Sequence, residues 1–180
     1  MSIAYKKQNT IFDGDDMIQS NNPNFKKLFD SRPDAYAKIM GSSTYPAIDG
    51  YVYFFQTIYG VVVVADIMGL PQKRDNCSSP IFAFHIHEGT SCTGNSEDPF
   101  ANALTHYNPN NCPHPYHAGD LPPLFGADGF AFAANLTNRF AVEEVIGKTI
   151  IIHSSPDDFT TQPSGNAGAK IACGLIVGNK

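Results

Sequence analysis

From Ala35 onward, short apolar runs alternate with clusters of Gly, Pro, Ser and Asp. Ala35 to Met40, Gly50 to Thr57 and Gly60 to Ile67 are rich in β-branched and aromatic residues, and no charge interrupts Tyr51-Val52-Tyr53-Phe54-Phe55 or Val61-Val62-Val63-Val64. That pattern predicts three consecutive strands in a meander. Gly69-Leu70-Pro71 ends the third, and Pro80 opens a fourth that closes on Phe84-His85-Ile86-His87. Asp120 to Phe125 reads as a short strand, confined to an edge because Pro122 and Pro123 cannot donate to a ladder. Asp128-Gly129 turns the chain into Phe130 to Leu136. A helical turn around Val142 to Val145 then leads to a strand from Lys148 to His153, and the last strand runs from Lys170 to Val177. Eight strands with short connections and two long irregular loops predict an all-β fold, an eight-stranded Greek-key β-sandwich or barrel. The long loops, after His87 and from Ser154 to Gly168, hold little regular pattern, which in a compact domain points to function or to a bound ligand.

Residues 1–34 have a different texture. They are polar, rich in Asn and Asp, and broken by Asn21-Asn22-Pro23-Asn24. They read as an extension outside a domain spanning residues 35–180, with a short helix at Phe25 to Phe29. Such an extension serves as a subunit contact, as a lid, or as a loosely packed tail.

Composition narrows the class. A chain of 180 residues, 42% hydrophobic, builds one sizeable core. A net charge of −5 with no Lys/Arg cluster and no Trp argues against a nucleic-acid surface or a membrane-surface helix, and leaves a small diffusible substrate. The first twenty residues lack the apolar core of a secretory signal, so the expected location is cytoplasmic, or secreted or periplasmic if a leader has been removed. Four cysteines, at 77, 92, 112 and 173, allow two disulfides or free thiols.

The histidines carry the chemistry. There are six, at 85, 87, 106, 114, 117 and 153. Residues two apart on a strand share a face, so His85 and His87 can reach one metal ion, or serve as a pair of buried hydrogen-bonded side chains. His106, His114, His117 and Asp120 follow on one loop with Pro109, Pro113 and Pro115 between them, and three imidazoles with one carboxylate suit a closed tetrahedral zinc site. His85, His87 and His153 each lie at or near the end of an apolar strand, and three imidazoles without a thiolate suit copper or zinc.

Taken together, these residues resemble the copper/zinc superoxide dismutases, from about Ala35 to Val177. The resemblance rests on Phe84-His85-Ile86-His87-Glu88, His106-Tyr107-Asn108-Pro109 and His117-Ala118-Gly119-Asp120-Leu121. It continues through Ile146-Gly147-Lys148-Thr149 with Ile152-His153, and Gly165-Asn166-Ala167-Gly168 leading to Ala172-Cys173-Gly174. It implies a copper ion on His85, His87, His106 and His153, and a zinc ion on His106, His114, His117 and Asp120, with His106 bridging both. It implies that superoxide anion is converted to dioxygen and hydrogen peroxide, with His106 leaving copper on reduction and carrying a proton to product. It further implies that Asp157 links the two sites by hydrogen bonds to ligand imidazoles, and that Cys92 and Cys173 form a disulfide. Cys77 and Cys112 are additional, a second bridge or two free thiols.

The chain departs from the family at Lys170, where an Arg usually guides the anion beside copper. Lysine keeps the charge of this second catalytic position and loses the planar fork, so slower turnover or weaker anion binding is expected, and Lys170→Arg should raise the rate. Ser154 to Gly168 carries two acids and no Lys or Arg, which weakens steering. The insertion between Cys92 and His106 could fold over the site or alter subunit contacts, which leaves the family's homodimer open. The competing function is a copper- and zinc-binding protein in which dismutation is weak or lost.

Overall fold

Strand-forming runs appear where the apolar pattern places them. The computed structural model describes residues 30–72 and 80–179, and all of its strands lie within Pro33–Lys180. They are β1 (Ala35–Gly41), β2 (Asp49–Thr57), β3 (Gly60–Met68), β4 (Ile81–His87), β5 (Asp120–Phe125), β6 (Ala131–Thr137), β7 (Thr149–His153) and β8 (Lys170–Gly178). The one α-helix among the described residues, α1, is Val142–Val145. Strand ends differ from the sequence expectation by a residue or so, as ends usually do. The suggested helix at Phe25 to Phe29 lies outside the described residues.

The strands form one antiparallel sheet in the order β5-β4-β7-β8-β1-β2-β3-β6. β1, β2 and β3 are the predicted meander. β4 then leaves it to lie between β5 and β7, and β8 returns to pair with β1, which makes the Greek-key crossovers. β5 is terminal in this order, as its two prolines require, and it meets β6 where the sheet curls into a nearly closed barrel.

Strand alternation decides what fills the barrel and what stays outside it. Phe82, Phe84 and Ile86 of β4 and Ile150 and Ile152 of β7 join Ala37, Ile39, Phe54, Val63 and Ile176 in one buried cluster. Each fully buried Ile or Phe there contributes about 1.5–3 kcal/mol. Across the pleat, His85 pairs with Ile151 and His87 with Thr149 in the β4-β7 ladder. Ile151 and Cys173 belong to a second cluster with Phe100 and Ala103, against which Cys92 packs. The segment after β4 therefore folds back over the outer face of β7 and β8. Both histidines of β4 lie on that outer face, under loops, and not in the barrel core.

Candidate metal centre

Backbone hydrogen bonds bring the third histidine to the first two. Tyr107 N–H donates to Ile86 O (2.8 Å), Gly119 N–H to Tyr107 O (2.9 Å), and Ile86 N–H to Gly119 O (2.9 Å), so two pieces of the long loop are stitched to the end of β4. His106 and His87 pair across an isolated antiparallel bridge. Only glycine fits at Gly119, because a Cβ there would lie 2.2 Å from Ile86 O. His153 closes the group from the end of β7, past an irregularity between Ile152 and His153.

All six histidines and Asp120 are buried, at most 8% exposed. They fall into two sets whose ligand atoms lie within 4.8 Å of one another: His85, His87, His106 and His153, and His106, His114, His117 and Asp120. His106 belongs to both.

Outward hydrogen bonds fix which ring nitrogen faces each set. Carboxylates and carbonyls only accept, so His85 donates Nε2–H to Asp157 Oδ2 (2.8 Å), His87 donates Nδ1–H to Leu104 O (2.9 Å), and His153 donates Nδ1–H to Gly168 O (3.3 Å). That leaves His85 Nδ1, His87 Nε2 and His153 Nε2 as lone pairs. His87 Nε2 and His153 Nε2 lie 3.3 Å apart, and His85 Nδ1 has no hydrogen-bond partner. His106 turns Nδ1 toward Asp120 Oδ1 (2.7 Å), and its Nε2 is also without a partner. Buried lone pairs facing one another are unfavourable unless a cation lies between them, and this donor set fits one.

The second set is built alike. Asp120 Oδ2 is 3.0 Å from His114 Nδ1 and 3.3 Å from His117 Nδ1, and His117 Nδ1 is 3.4 Å from His106 Nδ1. The His114 contact is close without being aligned as a hydrogen bond, which suits two donors to a shared ion.

Ionisation supports the same fit. Burial holds His87 well below its ordinary pKa and pushes His153 from 6.5 to about 3, with neighbouring rings adding to the effect. Burial also lowers His85 and His117. Neutral imidazoles are the state that binds metal. At Asp120 burial opposes ionisation, but the His106 hydrogen bond and the surrounding rings outweigh it and lower the pKa.

Asp157 joins the two sets. Its Oδ2 accepts from His85 and its Oδ1 from His114 Nε2 (2.9 Å) and Phe159 N–H (2.7 Å). Burial alone would raise its pKa, yet these hydrogen bonds hold it far below the usual carboxylate range. Gly165 (φ +66°) gives it room, since a Cβ there would lie 1.9 Å from Asp157 Oδ1.

Three supporting residues lie outside any sequence motif. Gln162 accepts from His114 N–H (3.0 Å) and donates to His114 O (2.7 Å), clamping that backbone. Arg139 Nη1 donates to Pro115 O (3.0 Å), His117 O (3.2 Å) and Asp120 O (3.2 Å), and so holds the loop carrying the second set. Asp98, from the insertion after Cys92, binds Lys170: Nζ is 2.6 Å from Asp98 Oδ2 and 3.3 Å from Phe100 O. Their partners are tens of residues away in sequence, so no local pattern reveals them.

A cleft of about 540 Å³ opens over this centre, lined by His87, His106, His153, Lys170, Glu97 and Asp98 among others. The insertion thus folds beside the site. Cys92 and Cys173 are bonded, with Cα atoms 5.6 Å apart. Cys112 carries a free, half-buried thiol, and Cys77 lies outside the described residues.

Residues 48–176 match the family model described as copper/zinc superoxide dismutase. The chain belongs to that family. It is 31% identical over 157 residues to copper-zinc superoxide dismutase 2 of Aquifex aeolicus, covering 79% of this chain and 85% of that protein. It is 31% identical over 151 residues to the copper-zinc superoxide dismutase of Legionella pneumophila, covering 79% and 86%. Among solved structures it is similar to the Cu/Zn superoxide dismutase of Brucella abortus, with a TM-score of 0.66 and 25% identity over 78% of this chain and 98% of that one. In this copper/zinc superoxide dismutase, the two nitrogen-rich donor sets that share His106 are compatible with metal binding.

Proposed function

We infer that the chain is a superoxide dismutase that converts two superoxide anions and two protons to dioxygen and hydrogen peroxide, using copper and zinc. The family match supports the reaction and both metals. The observation that carries the reading to individual residues is the pair of buried, inward-facing donor sets that share His106.

On this reading His85, His87, His106 and His153 would hold copper through ring nitrogens left without an outward hydrogen bond, and His106, His114, His117 and Asp120 would hold zinc. When bound, copper supplies one-electron exchange with the substrate and zinc supplies fixed positive charge without redox chemistry. The protein residues do the rest. Asp157 fixes the tautomers of His85 and His114 at once, so each presents Nδ1 inward. His106, whose Nδ1 is turned toward Asp120, would take a proton on Nε2 only while that nitrogen is not engaged with copper, and would pass it to product. The second proton comes from solvent through the cleft. Phe100 and Ala103 pack with Ile151 and Cys173 over the outer face of β7 and β8, and Cys92–Cys173 ties their loop down there.

Reconstituted protein and His153→Ala, compared for metal content and superoxide decay, test this reading. About one copper and one zinc per chain with copper-dependent decay is expected, with copper and activity lost together in the variant. Full copper retention in His153→Ala would remove His153 from the copper set. Stoichiometric metal with no dismutation would favour the metal-binding alternative.

A further inference from the structure

The cleft mouth is short of positive charge. Among the described residues lining it there is one Lys or Arg side chain, Lys170, and two acids, Glu97 and Asp98. Lys170 does not stand free: its side chain is 15% exposed and its ammonium is bonded to Asp98 at 2.6 Å, with Phe100 O as a second acceptor. Asp98 is held in turn. Its Oδ1 accepts Phe100 N–H at 2.9 Å and its own N–H donates to Asn95 Oδ1 at 2.9 Å. The carboxylate is therefore aimed at Lys170 by its own loop, and that loop is tied to β8 through Cys92–Cys173.

We propose that Asp98 is a specificity-determining residue of this dismutase, a built-in counter-charge that cancels Lys170 and weakens the attraction of small anions to the centre. The idea rests on the dismutase reading given above. A small anion approaching the mouth meets an ion pair, which at a distance is a dipole, and Glu97 beside it. The field that would concentrate the anion is largely removed, although the lysine is present. The deficit expected at Lys170 from its shape alone thus lies mainly in its partner. Lys170→Arg, which leaves the carboxylate in place, should gain less than Asp98→Asn.

Asp98→Asn suits the test because Asn keeps an oxygen for Phe100 N–H while its amide can no longer neutralise the ammonium. Copper- and zinc-loaded wild type, Asp98→Asn, Lys170→Met and the double variant are compared in two assays: superoxide decay against ionic strength, and azide affinity of the oxidised protein by absorption titration. Releasing one unit of charge at the mouth should raise the decay rate constant and tighten azide on the order of threefold to tenfold at low salt. The gain should fade as the screening length falls to about 8 Å near 0.15 M. Lys170→Met should be slowest and bind azide most weakly, and the double variant should fall between the two single ones. Asp98→Asn at or below wild type in both assays would overturn the proposal, since Asp98 would then be holding Lys170 in a useful position. An inactive wild type would sink the dismutase reading, while the azide ranking would still decide the role of Asp98.

Discussion

Asp157→Asn probes the link between the two donor sets. In the native protein the carboxylate accepts from the His85 and His114 imidazoles, at 2.8 and 2.9 Å, and from Phe159 N–H at 2.7 Å. An amide of the same shape has one oxygen and one NH2 group. If the oxygen serves Phe159 and His114, the NH2 group confronts His85 Nε2–H. If it serves His85, the other two donors are left facing NH2. In either orientation at least one buried imidazole N–H loses a charge-assisted acceptor, a cost of about 1.5–3 kcal/mol. The remaining bond loses the full negative charge as well. The affected ring can escape by moving its proton to Nδ1, the nitrogen needed inside, so the cost appears in metal affinity. At about 1.4 kcal/mol per decade, the metal whose ligand loses its acceptor should be held about tenfold to a hundredfold less tightly, and the other by a smaller factor. Competition against a graded series of chelators, with each metal quantified separately, measures both constants. Wild-type affinity at either site would refute the claim that Asp157 orients ligands of both.

Three further outcomes follow from the same contacts. Arg139→Met leaves three carbonyls of the loop carrying His114, His117 and Asp120 without their donor. Zinc should dissociate faster, by about tenfold for a lost charged hydrogen bond, with copper less affected, and equal losses of the two metals would contradict this. Replacing Cys92 and Cys173 by Ser opens a cross-link spanning 81 residues and should cost about 2–4 kcal/mol in urea unfolding, so a loss under about 1 kcal/mol would show that packing of Phe100 and Ala103 suffices. Metal-free protein should weaken as pH falls from about 6.5 toward 3. His153 is depressed to about 3 when folded, so the unfolded chain binds the extra proton in that window, at about 1.4 kcal/mol per pH unit. Asp120 and Asp157, whose folded pKa values are lowered, add stability above their unfolded values that is lost only below about pH 4. Urea midpoints unchanged between pH 7 and 5 would refute the histidine part.

The barrel was legible because strands advertise themselves. The period-two alternation of β4 carries both the core residues Phe84 and Ile86 and the histidines on the opposite face, so one local pattern reports fold and site together. The loop carrying the second donor set was legible by chemistry, because His106, His114, His117 and Asp120 are close in sequence and their donor atoms come together in the structure. Asp98, Arg139 and Gln162 were not legible. Each acts through a partner brought near by the fold, and their residue types are ordinary in loops. Lys170 shows the difference most clearly: its identity in the sequence suggests a guiding cation, while its charge in the structure is answered by a carboxylate 72 residues away.

The most direct measurement is a copper titration of zinc-loaded protein followed by superoxide decay. The rate should rise in proportion to added copper, break at one equivalent per chain, and at that point exceed the rate of the same concentration of free copper. A rise without a break, or a rate no greater than that of free copper, would contradict a dismutase site built from His85, His87, His106 and His153.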